Sequence, residues 1–363
     1  MKPRLILDAH LDLSYNALDF NRDLRWPLER IRRHELGMRD HVFRSRGVVS
    51  FPEMRRGRIG LCVATQLARY VDRFSKMPGW NSPEQAWAWT QGQHAWHREM
   101  ERAGELRQLR TGPELLEHAD RWRTADDATA ATLPIGYVLS LEGADSIVTP
   151  RHLETAFEYG LRIVGLTHYG PGIHGQGTDA LGPLTARGHE LLREMRRLGL
   201  ILDATHLSDD SFRDALDRWD GPVWASHSNC RALAHWNRQF DDDQIRELAR
   251  RGAVIGMAFD AIMMVHGWAH HRSRPEDFQL RLEKIIEHID HICQLTGSAS
   301  HVMIGSDLDG GFGTEQMPMD LDSIADLARL GDLLAARGYA PDAVEGILSG
   351  NALAFLARHL PQS

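Results

Sequence analysis

The chain holds 363 residues, 42% of them hydrophobic and 25% charged, which is enough apolar material for one large core. A formal net charge of -8 leaves no basic stripe for nucleic acid. No apolar run reaches the length a bilayer demands, so no membrane partner is expected.

Met1-Lys2-Pro3-Arg4 leads straight into an apolar segment without a leader pattern, and the cytoplasm is the expected compartment. Cys62, Cys230 and Cys293 are odd in number and far apart, which points to reduced thiols rather than a disulfide framework. Short apolar, β-branched segments recur at 4–10, 59–65, 135–142, 162–168, 200–206, 222–227, 253–259 and 301–307. Several are hydrophobic throughout rather than alternating, as parallel strands buried on both faces are. Eight such strands separated by helical stretches predict an α/β fold, a closed (β/α)8 TIM barrel, in a single domain over 1–363. Among the helices, 185–198 is amphipathic and stops at Gly199, and Ser208 caps the next one. Residues 275–296 read as one long helix ending before Gly297, and 341–360 starts on a proline suited to a first turn. Residues 66–134 interrupt the alternation as a helical insertion between strands two and three. It is patterned as helix from 83 to 109 and carries Trp80, Trp87, Trp89, Trp96 and Trp122. These tryptophans are expected to pack on the barrel; a lid or a dimer contact is the alternative.

In a parallel barrel the functional residues sit at the C-terminal strand ends. Here those ends carry His10 and Asp12, Glu142, His168, His206, His227 and Asp307. Accidental placement would scatter such residues along the strands and over both ends. Imidazole and carboxylate together are the donor set of zinc and similar metals. His10 and Asp12, two residues apart at a strand end, point to one side and can grip an ion together. A catalytic ion needs only three protein ligands, and there are more candidates than that, so two ions are expected. Glu142 is the natural bridge, with His10 and Asp12 completing one ion and His206 and His227 the other. Four positive charges against the two of Asp12 and Glu142 favour a bound hydroxide and attract an anionic substrate group. Metal coordination lowers the pKa of water to about 7 and so makes a nucleophile at neutral pH.

Other motifs carry less. His266-Gly267-Trp268-Ala269-His270 lacks the glutamate of a metalloprotease helix and reads as a loop. The glycine-rich stretch 170–177 reads as a rim loop beside His168, not a phosphate loop. Asp307-Leu308-Asp309-Gly310 hints at calcium without a full EF-hand loop. His94 and His97, and His288 and His291, read as solvated helix faces.

Along the chain stand His10-x-Asp12, Glu142-Gly143, Leu166-Thr167-His168, Thr205-His206-Leu207-Ser208, Ser226-His227-Ser228 and Gly305-Ser306-Asp307-Leu308-Asp309-Gly310. Together and in this order they resemble the membrane (renal) dipeptidase family, zinc peptidases of the amidohydrolase superfamily. The resemblance implies a two-zinc barrel enzyme that hydrolyses dipeptides, often with a D-residue at the C-terminal side; some members open β-lactams. It assigns His10, Asp12, Glu142, His206 and His227 to two Zn2+ ions bridged by Glu142 and a hydroxide. It also implies that His168 and Arg238 contact substrate and that Asp307 handles protons or the free amine. In that scheme the hydroxide attacks the carbonyl carbon and Asp307 carries its proton to the departing nitrogen. His168 steadies the oxyanion, and Arg238 forks onto the terminal carboxylate. Arg238 lies in Asn237-Arg238-Gln239-Phe240-Asp241-Asp242, where the chain departs most from the pattern, and Arg231 is its rival. The family commonly forms homodimers, so a homodimer is expected. Three rival readings remain: a related hydrolase of another small amide, β-lactam or lactone; a sugar hydrolase pairing Glu142 with Asp307; and a catalytically silent barrel used as a binding scaffold.

Overall fold

The computed structural model describes residues 4–72 and 77–363. In chain order its strands are β1 (Ile6–Leu11), β2 (Ile59–Leu67), β3 (Leu106–Gln108), β4 (Ile135–Glu142), β5 (Leu161–Gly165), β6 (Ile201–Asp203), β7 (Val223–Trp224), β8 (Ile255–Met257) and β9 (Val302–Ile304). All pair in parallel, in the order β7-β6-β5-β4-β2-β1-β9-β8. A parallel bridge between Ala225 and Ile255 joins the two ends, so eight strands close into the (β/α)8 barrel that the alternation predicts. Every residue of β4 is buried, which is why its segment shows no alternation. The closing seam is tight. A Cβ on Gly256 or Gly305 would stand 1.8 Å from the Ser226 carbonyl oxygen, so only glycine lets these strand ends meet.

The ninth strand departs from expectation. The insertion's helix is Pro83–Arg102, not 83–109; the chain then turns into β3. Strand β3 takes one edge of β4 at Ile135 to Tyr137, and β5 takes over from Leu139. Leu-Arg-Gln is too short and too polar to announce a strand by pattern. Trp122 is fully buried and its indole N–H donates to the Pro134 carbonyl at 3.1 Å, while Trp87 and Trp96 pack at the margin of the core. Trp80 and Trp89 lie against each other instead, with ring centroids 5.2 Å apart.

Two further expectations are corrected. Residues 275–296 are not one helix: 3-10 turns at Pro275–Phe278 and Leu282–Lys284 precede a helix at Ile285–Thr296. Gln279 between the turns sits at φ 48°, a conformation no helix contains. His97 and His288 are not solvated but fully buried. His288 Nδ1 accepts from the Cys230 N–H at 3.1 Å and its Nε2 meets the Met264 carbonyl at 3.1 Å. Both helix faces bury an imidazole that finds at least one backbone partner there; the His97 Nδ1 bonds to the Gln93 carbonyl at 2.9 Å, and its Nε2 has no hydrogen-bond partner among the described residues. Other helix ends fall where expected. Thr185 caps Ala186–Leu198 before a left-handed Gly199, and Ser208 Oγ accepts from Ser211 N–H at 3.1 Å. The last segment is helical from Pro341 to His359 through a π turn at Gly346–Gly350. Cys62, Cys230 and Cys293 are free thiols, and among the described residues no helix is long and apolar enough to cross a membrane.

Candidate metal centre

The barrel delivers its polar residues in one register. His168, His206, His227 and Asp307 each lie three residues past the end of β5, β6, β7 and β9, while His10 and Glu142 belong to the ends of β1 and β4. All therefore emerge at one mouth. His206 and Asp307 take φ of 67° and 58°, which costs a residue with a Cβ about 1–3 kcal/mol. Two carboxylates lace the strand ends that carry this strain. Asp8 accepts from the backbone N–H of His10 at 3.2 Å and of Ser306 at 2.8 Å, and from the Ser306 hydroxyl, tying β1 to β9. Asp203 accepts from the N–H groups of Thr205 and Ser226, both at 3.0 Å, tying β6 to β7.

Three donor groups form at this mouth: His10, Asp12 and Glu142; Glu142, His206 and His227; and His10, His227 and Asp307. Within each group the ligand atoms lie within 4.8 Å of one another. Glu142 Oε1 stands 3.0 Å from His206 Nε2 and 3.2 Å from His227 Nε2, and its Oε2 is 3.6 Å from His10 Nε2. Asp307 reaches within 3.8 Å of His10 Nε2 and 4.0 Å of His227 Nε2. Despite this crowding, His10 Nε2, Asp12 Oδ1 and Glu142 Oε1 are buried without a hydrogen-bond partner. Such atoms cost about 1–3 kcal/mol each unless something satisfies them. Nitrogen and carboxylate donors in this number fit divalent metal ions.

The other ring nitrogens agree. His206 Nδ1 meets Thr178 Oγ1 at 2.8 Å, His227 Nδ1 meets Ser226 Oγ at 2.8 Å, and His10 Nδ1 meets Thr65 Oγ1 at 3.4 Å. Each hydroxyl orients its ring and leaves Nε2 for the centre. Charge points the same way. Burial opposes a charge on His10, yet Glu142, Asp12 and Asp307 pull its pKa up to about 10. Burial raises Glu142 to about 7 and lifts Asp307 well above the carboxylate range. Burial also holds His206 and His227 well below the ordinary imidazole value. His206 and His227 are thus neutral and free to ligate, whereas His10 and Asp307 hold protons that a bound cation would displace. All five sequence-predicted ligands thus meet in two overlapping triads that share Glu142, which is a binuclear metal site.

Residues 1–358 match the family described as membrane dipeptidase, peptidase family M19. The chain belongs to that family. A Klebsiella pneumoniae protein described by its place in the pqqA 5' region is 31% identical over 234 residues, 62% of this chain and 80% of its own length. An uncharacterized dipeptidase of Schizosaccharomyces pombe is 28% identical over 225 residues, 60% of this chain. The match spans only 52% of that protein, about half its length. A Rhodobacter sphaeroides metallo peptidase, solved with a phosphinate mimic of the dipeptide L-Ala-D-Ala, superimposes with a TM-score of 0.78 at 22% identity, covering 98% of this chain and 99% of that one. Likeness at that identity shows the shared barrel. Family membership and the donor triads together support a metal-dependent peptide hydrolase.

Around the centre of this family member stand further polar groups. His168 Nε2 lies 3.8 Å from Glu142 Oε1, and its Nδ1 takes a hydrogen bond from the Arg69 guanidinium. Arginine only donates, so Nδ1 is the acceptor and the ring hydrogen sits on Nε2, facing Glu142. Burial, then the charges of Arg69 and Arg238, push His168 well below the usual value and keep it neutral. Arg238 is 3% exposed and donates to Ser228 Oγ and to the His227 carbonyl, both at 2.9 Å. Arg231 instead forks onto Asp209 at 2.7 and 2.9 Å, which commits it to the fold. The 170–177 stretch is a rim turn, closed by Thr178 N–H to the His168 carbonyl at 2.9 Å, and it delivers Thr178 to His206. Asp309 is structural: it accepts from Val48 and Val49 N–H at 2.9 Å and faces Arg22 at 3.5 Å. His266 and His270 lie exposed on the loop after the turn Ala261–Met264.

Arg69, Thr178, Asp8 and Asp203 were not among the sequence-predicted residues. The two aspartates had a signal, because Asp8 stands two residues before His10 and Asp203 three before His206. Arg69 and Thr178 had none; they reach the site from a long insertion and a rim turn.

Proposed function

We propose that the chain is a binuclear zinc dipeptidase. It hydrolyses the amide bond of free dipeptides, accepts a D-residue at the C-terminal position, and uses residues 1–363 as one hydrolase domain. The observation that carries this reading is Glu142, one carboxylate shared by two donor triads at the barrel mouth. The phosphinate mimic of L-Ala-D-Ala held by the Rhodobacter sphaeroides relative supports the D-residue. His10 and Asp12 hold one ion, His206 and His227 the other, and Glu142 both. Bound there, the pair supplies hydroxide at neutral pH and polarises a carbonyl.

The chain's own side chains do the rest. Asp307, set between His10 and His227, carries a proton to the departing nitrogen. His168 keeps Nε2–H toward the same space and donates to the oxygen on which charge develops. Arg238 spends hydrogen bonds on Ser228 and His227 and keeps other N–H groups for the substrate's terminal carboxylate. That clamp favours free dipeptides over longer chains. A homodimer is part of the proposal, and sedimentation decides it.

Zinc-loaded protein should cleave L,L and L,D dipeptides, leave tripeptides and simple lactams largely untouched, and hold two zinc ions per chain. Metal-replete protein inert across the dipeptide panel, or equally active on lactams, overturns the reading.

A further inference from the structure

We infer that Arg69 makes this site select dipeptides with an acidic side chain; the inference rests on the dipeptidase reading. Arg69 stands just past β2, two residues beyond Leu67, the register partner of Glu142. Its guanidinium donates to His168 Nδ1 and, at 3.0 Å, to the Pro78 carbonyl oxygen. Its Nε is buried without a hydrogen-bond partner. Among the described residues no carboxylate forms an ion pair with it within 4.0 Å. The neighbouring acids are committed elsewhere: Glu142, whose charge acts on Arg69 most, belongs to the donor triads. Asp145 accepts from Tyr70 N–H at 3.2 Å and Ile173 N–H at 3.0 Å, and Asp19 is bonded to the Trp89 side chain. Burial already strains the charge on Arg69, lowering its pKa. A guanidinium removed from water and left without a carboxylate in contact is costly to keep, and its planar fork fits a carboxylate best.

There is room for that carboxylate. Arg69 lines a cavity of about 250 Å³ with Tyr15, Asp19, Leu67, Trp80 and Trp89. The paired tryptophans give an apolar wall for methylene groups, and the fork stands beside them. The substrate's terminal carboxylate has its own cation. Arg238 follows β7 and Arg69 follows β2, and those two strands stand opposite each other in the closed ring. One dipeptide lying across the mouth would meet Arg238 with its terminus and Arg69 with an aspartate or glutamate side chain.

The test measures kcat/KM on zinc-loaded enzyme for matched Asp/Asn and Glu/Gln dipeptides, at each position and in both stereochemistries. Wild type should favour the acid over its amide at least tenfold at one position. Arg69→Met should erase that ratio through KM, and Arg69→Lys should restore part of it. Wild type that cleaves dipeptides without an acid preference overturns the inference and leaves the dipeptidase reading standing. Wild type that cleaves no dipeptide takes both down. Equal losses on acidic and neutral substrates in Arg69→Met also overturn the inference, because Arg69 then only orients His168. If a variant fails to fold, the wild-type ratio still decides.

Discussion

Replacing Thr178 with valine removes one hydroxyl from the metal centre and almost nothing else. The side chain is 1% exposed, and its Oγ1 lies 2.8 Å from His206 Nδ1. Valine keeps the shape, so no cavity opens. The His206 Nδ1–H is then a buried donor without an acceptor, at a cost of about 1–3 kcal/mol. Without metal the ring can rotate out of that position; ligation through Nε2 forbids the rotation, so the cost falls on the bound state. Loss of such supporting partners weakens metal binding about 10–100-fold, or about 1.4–2.7 kcal/mol, which agrees with the cost of the orphaned donor. The effect should be confined to the ion of His206 and His227. The other triad rests on Thr65, 3.4 Å from His10 Nδ1, and is untouched. Chelator competition should show one zinc released at about 10–100-fold lower chelator and the second at its wild-type value, with Thr178→Ser close to wild type. Two ions released as in wild type from a folded valine variant would refute the argument.

Asp307→Asn should cut kcat by about 10²–10⁴-fold while both ions remain, as metal analysis would show; loss of zinc would make Asp307 a ligand of the third donor group instead of a proton carrier. Stripping the metal should abolish turnover, restored by zinc, and lower Tm, since an ion at 1,000 times its Kd adds about 4 kcal/mol to stability. An unchanged melting curve would mean that no ion binds the native centre. Burial pushes His288 down to about 4, against about 6.5 in the unfolded chain. Between those values only the unfolded chain takes the proton, so stability is full above about 6.5, falls as pH drops toward 4, and levels off below. The gap amounts to about 3 kcal/mol. Gln at 288 can accept from Cys230 and donate to Met264, so His288→Gln should flatten the acid limb of urea unfolding by that amount. An unchanged slope would assign the acid sensitivity to other histidines.

The barrel was legible because parallel strands buried on both faces leave continuous apolar runs, and eight of these are spaced by helices. What stayed hidden had no local pattern. Strand β3 is three residues long and mostly polar, and it exists because an unpaired edge of β4 at Ile135 to Tyr137 accepts it. The break in 275–296 turns on one left-handed glutamine inside an otherwise helical pattern. His97 and His288 sit in helical periodicity that cannot tell a solvated imidazole from one satisfied by a neighbouring carbonyl.

The convergence of the donor residues was readable even though the strand ends were not. The apolar runs continue to His168, His206, His227 and Asp307, but the hydrogen-bonded strands stop three residues earlier. Past the last ladder bond the chain still lines the barrel, and only small or neutral residues, Thr167, Thr205, Ser226 and Ser306 among them, intervene before the mouth. The first histidine or acid past the last ladder bond therefore marks where the wall ends, whatever the backbone pairing does, and at a common wall height these residues converge. Arg69 and Thr178 obey no such rule. They come down onto the mouth from above, on loops whose geometry is set by Pro78, His168 and Gly170 rather than by the strand beneath them. On the proposed reading, a change in those loops alters which dipeptide is chosen and leaves the donors below in place.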